Sequence, residues 1–305
     1  MNQKWKAIGL VIFGSIVYGF VSITIKMAYE RGYSFSDVLG MQLLSGFMLL
    51  LVGTTLFRQW EKVNRKQLVQ LLLAGTLNAM TGIFYQISLQ HVPASIAIVL
   101  IFQFIWIGVL IECLIERKRP APETIISVVL LLIGTAMASN VVKVGLSGLS
   151  LYGVAFGLLS AVTYSGVIAA SGRIAVQVNP WMRSLTMNSS ATLLVWVLFR
   201  PKPFTDGAFV GGLWYWGLII ACCSVLIPNL CFAAGTPKIG SALAGILGSV
   251  ELPATVFLSW IMLQETVTPV QWVGNAIILG GIGATRLKLK KRKTVPFRVS
   301  DGQPL

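Results

Sequence analysis

Charge is scarce in this 305-residue chain, where Asp, Glu, Lys and Arg together make up 11%, against about a quarter in ordinary soluble domains. Acidic residues number only ten, histidines one and cysteines four. The lone His91 has no Cys or carboxylate cluster beside it, and the Cys222-Cys223 pair lacks histidines at metal-ligand spacing. Neither a metal nor a cofactor is therefore expected, and Cys113, Cys222, Cys223 and Cys231 read as small apolar residues within apolar runs. No Gly-x4-Gly-Lys-Ser/Thr segment occurs, so ATP has no phosphate cradle of that type. With no catalytic cluster and no sizeable soluble domain, an enzyme is not the expected class. Strands alternating apolar and polar over about ten residues, the mark of a membrane β-barrel, are missing too.

What the chain has is apolar length. Hydrophobic residues reach 55%, more than a water-soluble fold of this size can hide in one core. A membrane-spanning helix needs about 20 mostly apolar residues. Ten stretches qualify: 7–29, 38–57, 68–89, 94–115, 123–141, 149–171, 184–200, 211–235, 239–263 and 269–287. The seventh is short and polar, with Thr186, Asn188, Ser189, Ser190 and Thr192. Residues 1–29 exceed the apolar core of a secretory signal and read as the first permanent span.

The net charge of +14 is unevenly placed. With the N-terminus in the cytosol and ten spans threaded, 19 of the 24 basic residues fall on the cytosolic side. Only Lys26, Arg31, Lys143, Arg200 and Lys202 fall opposite. That is the positive-inside bias of an even-span protein with both termini cytosolic. The basic tail, 288–305, suits anionic lipid head groups better than nucleic acid, since no folded domain accompanies it.

A weak internal repeat divides the spans. Glu116-Arg-Lys-Arg-Pro120 returns as Glu265-Thr-Val-Thr-Pro269, Gly134 falls on Gly283, and Tyr18 matches Tyr164. Pro93 and Pro237 read as matching turns before the fourth and ninth spans. The halves, 1–145 and 146–287, hold five spans each. An odd number per half makes the second enter the membrane from the other side, an inverted repeat suited to alternating access. The fold expected is thus an all-α membrane protein of ten helices in two inverted five-helix repeats.

Tyr18-Gly19 followed by Lys26, the Glu116…Pro120 hinge, and Glu251-Leu-Pro253 leading to Glu265-Thr-Val-Thr-Pro269 together resemble the drug/metabolite transporter superfamily, EamA type. The resemblance covers about residues 7–287. Phe102-Gln103-Phe104 stands where that family's first half would carry Glu-x-Pro, and Tyr18-Gly19 replaces its Trp-Gly. Family members include exporters of amino acids, other metabolites and cationic drugs. The resemblance thus implies a secondary exporter of small organic solutes, without choosing the cargo. An uncoupled facilitator is the alternative within transport.

Depth selects the candidate site. Glu251 lies twelve residues from each end of the span 239–263, about 18 Å inward. A carboxylate there costs roughly 2.5–3.5 kcal/mol on insertion scales. Its face, Ala244, Gly248, Thr255 and Ser259, is small and polar, whereas Ile246, Val250, Phe257 and Trp260 read as the opposite side. Glu251 is the candidate for holding a proton, or a cationic substrate, alternately from each side. Its rival reading is a neutral Glu bonded to a neighbouring helix. Tyr18 and Lys26 share a face of the first span; Asn78 and Tyr85 come from the third, Gln103 and Trp106 from the fourth, and Tyr164 and Asn188 from the second half. These complete the expected substrate site, and Pro253 and Pro228 are the expected kinks. Glu112 and Lys26, three residues from their span ends, read as able to snorkel.

Overall fold

The computed structural model describes residues 3–92, 94–139, 150–264 and 266–291. They form ten helices and no strand among the described residues. These are α1 (Gln3–Glu30), α2 (Phe35–Leu56), α3 (Arg65–His91), α4 in two segments (Ala94–Ile101 and Phe104–Glu116) and α5 (Pro122–Ala138). The second five are α6 (Leu151–Arg173), α7 (Pro180–Phe199), α8 (Phe209–Ile239), α9 in two segments (Ser241–Gly248 and Glu251–Met262) and α10 (Pro269–Lys291). Seven helices are long and apolar enough to cross a membrane, and α5 is a shorter apolar helix. With α7 and α10 they make the ten expected. Pro93, Lys143, Glu265 and the tail from residue 292 lie outside the described residues.

The weak hydropathy of α7 has a packing explanation. Its Ser184, Thr186, Asn188 and Ser190 are buried; Thr186 Oγ1 donates to Met182 O of its own helix, and Asn188 and Ser190 find partners on neighbouring helices. Asn188 Nδ2 donates to the Leu43 carbonyl of α2 at 3.0 Å, and Ser190 Oγ to the Leu72 carbonyl of α3 at 2.8 Å. Polar residues here glue helices together, as membrane interiors favour. The helix starts at Pro180, four residues before the expected span, because Asn179 caps it through the Met182 amide and Pro180 suits the first turn.

Packing repeats with the halves. α1 lies along α8 and α9; its counterpart α6 lies along α3 and α4. α2 packs on α7 and α8 as α7 packs on α2 and α3, and α5 pairs with α10. Exchange of partners between equivalent helices is what a pseudo-two-fold axis between two inverted units produces.

Both α4 and α9 break at the same repeat position; a kink was expected at Pro253 in α9, whereas the fourth span was expected to run unbroken. In α9 Pro253 has no amide to donate to Ser249, so the turn tightens: Leu252 N donates to Ser249 O, and Val250 N to Leu247 O. The Ile246 carbonyl, normally taken by Val250 N, accepts instead from Ser249 N at 3.3 Å and Ser249 Oγ at 2.6 Å. In α4 no proline acts, yet Gln103 N donates to Leu100 O. The freed Val99 carbonyl accepts from the Gln103 side-chain amide at 2.9 Å. Val99 and Ile246 stand 147 residues apart, at equivalent places. The break also reverses part of the expected facing, since Ile246 and Val250 are buried while Phe257 and Trp260 remain exposed.

Pro237, expected in a turn, lies inside α8. A single residue, Gly240 with φ of +89°, links α8 to α9, a backbone angle that favours glycine. Pro228 follows a π-helical stretch of α8, Cys222–Leu226, which absorbs the amide that proline lacks.

Candidate functional site

A cavity of about 290 Å³ lies at the centre, between the repeats. Glu251 opens the second segment of α9 and lines this cavity; it is the only charged side chain among the described lining residues. Its carboxylate accepts no hydrogen bond from a described side chain. Tyr18 from α1, Tyr85 from α3 and Tyr164 from α6 line the cavity and lie within electrostatic reach of it. Thr255, one turn on, donates to the carbonyls of Gly19 at 3.2 Å and Glu251 at 2.9 Å. A Cβ at Gly19 would stand 3.0 Å from that of Ala254, so the glycine lets α1 cross α9 closely beside the site.

The walls follow the repeat. Tyr18 pairs with Tyr164 at a separation of 146 residues, and Tyr85 pairs with Phe232 at 147. Phe104 opens the second segment of α4 as Glu251 opens that of α9, again 147 apart. Phe104 and Tyr164 meet edge to face, centroids 4.8 Å apart. One half of the site is thus aromatic where the other is acidic. Asn78 lines the wall, and so do Asn229, Gln42 and Phe232, which were not among the expected site residues.

Four expected residues stand off the lining. Gln103 turns its amide back on Val99, and its Oε1 accepts from Trp106 Nε1 at 2.8 Å. Both brace the break in α4, and Trp106 is 41% exposed on the outside of the bundle. Asn188 holds α7 to α2. Lys26 is exposed, one turn beyond the lining residue Ser22. Pro228 borders the cavity, while Pro253 sits buried behind Glu251.

The cavity is shut toward the face where Glu116 ends α4. There the second segment of α4 packs on the first segment of α9, and α6 packs on both that segment and α8. The repeat-equivalent pairs at the other face, which are α9 with the first segment of α4, α1 with that segment and α1 with α3, do not pack comparably. Polar ties occupy the closed pairs. Glu112 of α4 accepts from Ser241 Oγ at 2.6 Å and from the Ala242 amide, meeting the N-terminal end of α9, where a carboxylate is favoured. Arg173 of α6 donates to Ser241 Oγ at 2.9 Å and lies 3.7 Å from Glu116.

Arg183 is the residue that sequence reasoning missed. Counted as a cytosolic charge, it is 1% exposed. Its Nη1 donates to Ala233 O on α8 at 2.8 Å and its Nη2 to Ser171 O on α6 at 2.5 Å. Pro237 leaves Ala233 O without a helix donor, and Ser171 O belongs to the unpaired last turn of α6. The cation thus sits where two helix ends are negative. Ser171, Ala233 and Ser184 line the cavity, so the guanidinium lies directly behind its floor.

Known proteins agree with this architecture. A crystal structure of a protein superposes with a TM-score of 0.76 at 17% identity, covering 95% of this chain and 99% of that one. The threonine/homoserine exporter RhtA of Escherichia coli (strain K12) is 27% identical over 271 residues, 84% of this chain and 83% of its own. The uncharacterized inner membrane transporter YicL of Salmonella typhimurium (strain LT2) is 23% identical over 301 residues, 96% of this chain and 99% of its own. Residues 5–140 and 151–286 each match the EamA-like transporter family, and the chain, a multi-pass membrane transporter rather than an enzyme, belongs to that family.

Proposed function

We propose that the protein is a secondary exporter of small organic solutes working by alternating access, with a proton as the coupling ion at Glu251. The observation that carries the reading is the asymmetry of a symmetric bundle. Helix pairs around the cavity are packed at the Glu116 face and parted at the other, although the repeat makes the two sets equivalent. Exchanging the two arrangements would open the cavity to the Glu116 face and close it opposite. The units that exchange are residues 1–145 and 146–287, and the positive-inside bias puts the Glu116 face, both termini and the 288–305 tail in the cytosol of the cell membrane. The tail then meets anionic lipid.

Glu251 suits the coupling role because it is deep, ionisable and without a hydrogen-bond partner among the described side chains, and the titratable groups facing it are the hydroxyls of Tyr18, Tyr85 and Tyr164. The printed name of RhtA makes threonine and homoserine solutes to include in a first screen. In proteoliposomes, solute flux is expected to follow an imposed pH gradient in the native protein and to lose that dependence in Glu251→Gln. Flux driven equally well in the variant would leave a facilitator without ion coupling as the correct reading. Flux of no solute through folded protein would remove transport by this chain altogether.

A further inference from the structure

Charge and shape inside the cavity narrow the solute further than membership of a transporter family does. Every lining group that carries a formal charge is Glu251; no Lys, Arg or His lines the wall among the described residues. Arg183 is the buried guanidinium behind the floor; its two Nη groups bond the Ser171 and Ala233 carbonyls, and its Nε has no partner among the described residues. A free carboxylate on a solute would thus enter a space of about 290 Å³ with one like charge on its wall and no cationic lining side chain to bond it. A burial of that kind is costly unless the ion is paired.

A cation meets the reverse. Glu251 supplies the opposite charge with no hydrogen bond from a described side chain to give up, and tyrosine rings stand around it. Ring faces attract cations, the more so when water is excluded. Across the pseudo-two-fold from Glu251 stands Phe104, backed by Tyr164 and Phe102, with Phe232 opposite Tyr85. The repeat thus gives the site two unlike ends, one acidic and one aromatic.

We propose that this cavity takes a solute with a single positive charge on an apolar or aromatic body and no free carboxylate. The inference rests on the reading of the cavity as the solute site. It separates this chain from any relative that moves zwitterionic amino acids. A cation and a proton compete for one carboxylate, so each cation that binds to the protonated site displaces one proton.

The test uses the full chain in detergent and in proteoliposomes, with benzyltrimethylammonium and 2-phenylethylamine as cations. Phenylalanine serves as the same amine bearing a carboxylate, with threonine and homoserine beside it. The cations are expected to raise the melting temperature, with 2-phenylethylamine bound at least tenfold more tightly than phenylalanine. Glu251→Gln should weaken benzyltrimethylammonium at least tenfold. Should that variant fail to fold, the native protein still decides: affinity for this permanent cation should fall tenfold or more between pH 9 and pH 5. Phenylalanine, threonine or homoserine bound as tightly as the amines overturns the proposal, including where Lys26→Met abolishes their binding. So does a cation affinity indifferent to pH and to Glu251, or no thermal shift with either cation. Cations that bind but are never moved into liposomes leave this solute class standing and sink the carrier reading. Threonine bound and moved does the reverse.

Discussion

Arg183 and Ala233 stand fifty residues apart in the chain and 2.8 Å apart in the bundle, joined through a carbonyl that Pro237 leaves without a helix donor. The relationship makes a coupled prediction. Arg183→Met should destabilise the protein by about 2–4 kcal/mol, because it strips the donors from two buried carbonyls. Pro237→Ala returns an amide to Ala233 O, so in that background the Arg183→Met loss should shrink by about 1 kcal/mol. Reversible unfolding of the four proteins of this cycle measures the coupling. Strict additivity would show that the guanidinium does not serve the proline-freed carbonyl.

Arg183 also shows where the sequence stops informing. A basic residue near a span end counts toward the positive-inside tally, and nothing local distinguishes one that folds inward to meet a helix end brought close only by tertiary packing. The breaks divide in the same way. Pro253 announces the one in α9, whereas α4 breaks without proline at Phe102-Gln103, visible only through its repeat equivalence to α9. Gln103 and Trp106 fit a polar, aromatic stripe by helical spacing, but spacing presumes an unbroken helix. Glu251 was legible because depth follows from counting residues along an apolar run, and Tyr18, Asn78, Tyr85 and Tyr164 because they lie at the same depth. Asn188 shared that depth and went elsewhere, since a buried amide serves helix packing as readily as a cavity.

The two bracing side chains at the breaks should be separable by substitution. Ser249→Ala and Gln103→Ala each leave one carbonyl, Ile246 or Val99, without its side-chain donor. Gln103→Ala should cost about 1–3 kcal/mol of stability, and Ser249→Ala about 0.5–1.5 kcal/mol because the Ile246 carbonyl keeps the Ser249 amide. Pro253→Ala acts differently, since an amide at 253 can bond Ser249 O and straighten α9. It is expected to retain solute binding while slowing flux several-fold. Binding and flux lost together would place Pro253 in maintaining the site, not in its movement.

Closure at the Glu116 face depends on Glu112. Glu112→Ala removes the acceptor of both Ser241 Oγ and the Ala242 amide, hydrogen bonds to a charged group worth about 1.5–3 kcal/mol each. Since 1.4 kcal/mol is tenfold in a population, the form open to this face should rise at least tenfold. A cysteine placed at Ser184, on the cavity floor, would report it by faster reaction with a membrane-impermeant thiol reagent from the Glu116 side, the four native cysteines having been replaced. Labelling at the native rate would mean that the α4–α9 contact holds without Glu112.

Two glycines of α3 should respond oppositely to the same added methyl. At Gly75 a Cβ would overlap the Met187 carbonyl and Ser190 Oγ of α7. Backbone cannot give way there as a side-chain tip can, so Gly75→Ala should push α3 from α7 and destabilise by about 1–3 kcal/mol. At Gly82, two turns on, a Cβ meets nothing within 4 Å, and the residue lines the cavity. Gly82→Ala should leave stability within about 0.5 kcal/mol of native, or raise it through helix propensity. Its added volume falls beside Tyr85 and Asn78, so solute affinity should change where stability does not. The comparison is made by unfolding and by thermal shift with the solutes named above. Equal destabilisation by both variants would mean that the space beside Gly82 is closed in the working protein, and the cavity would have to lie elsewhere.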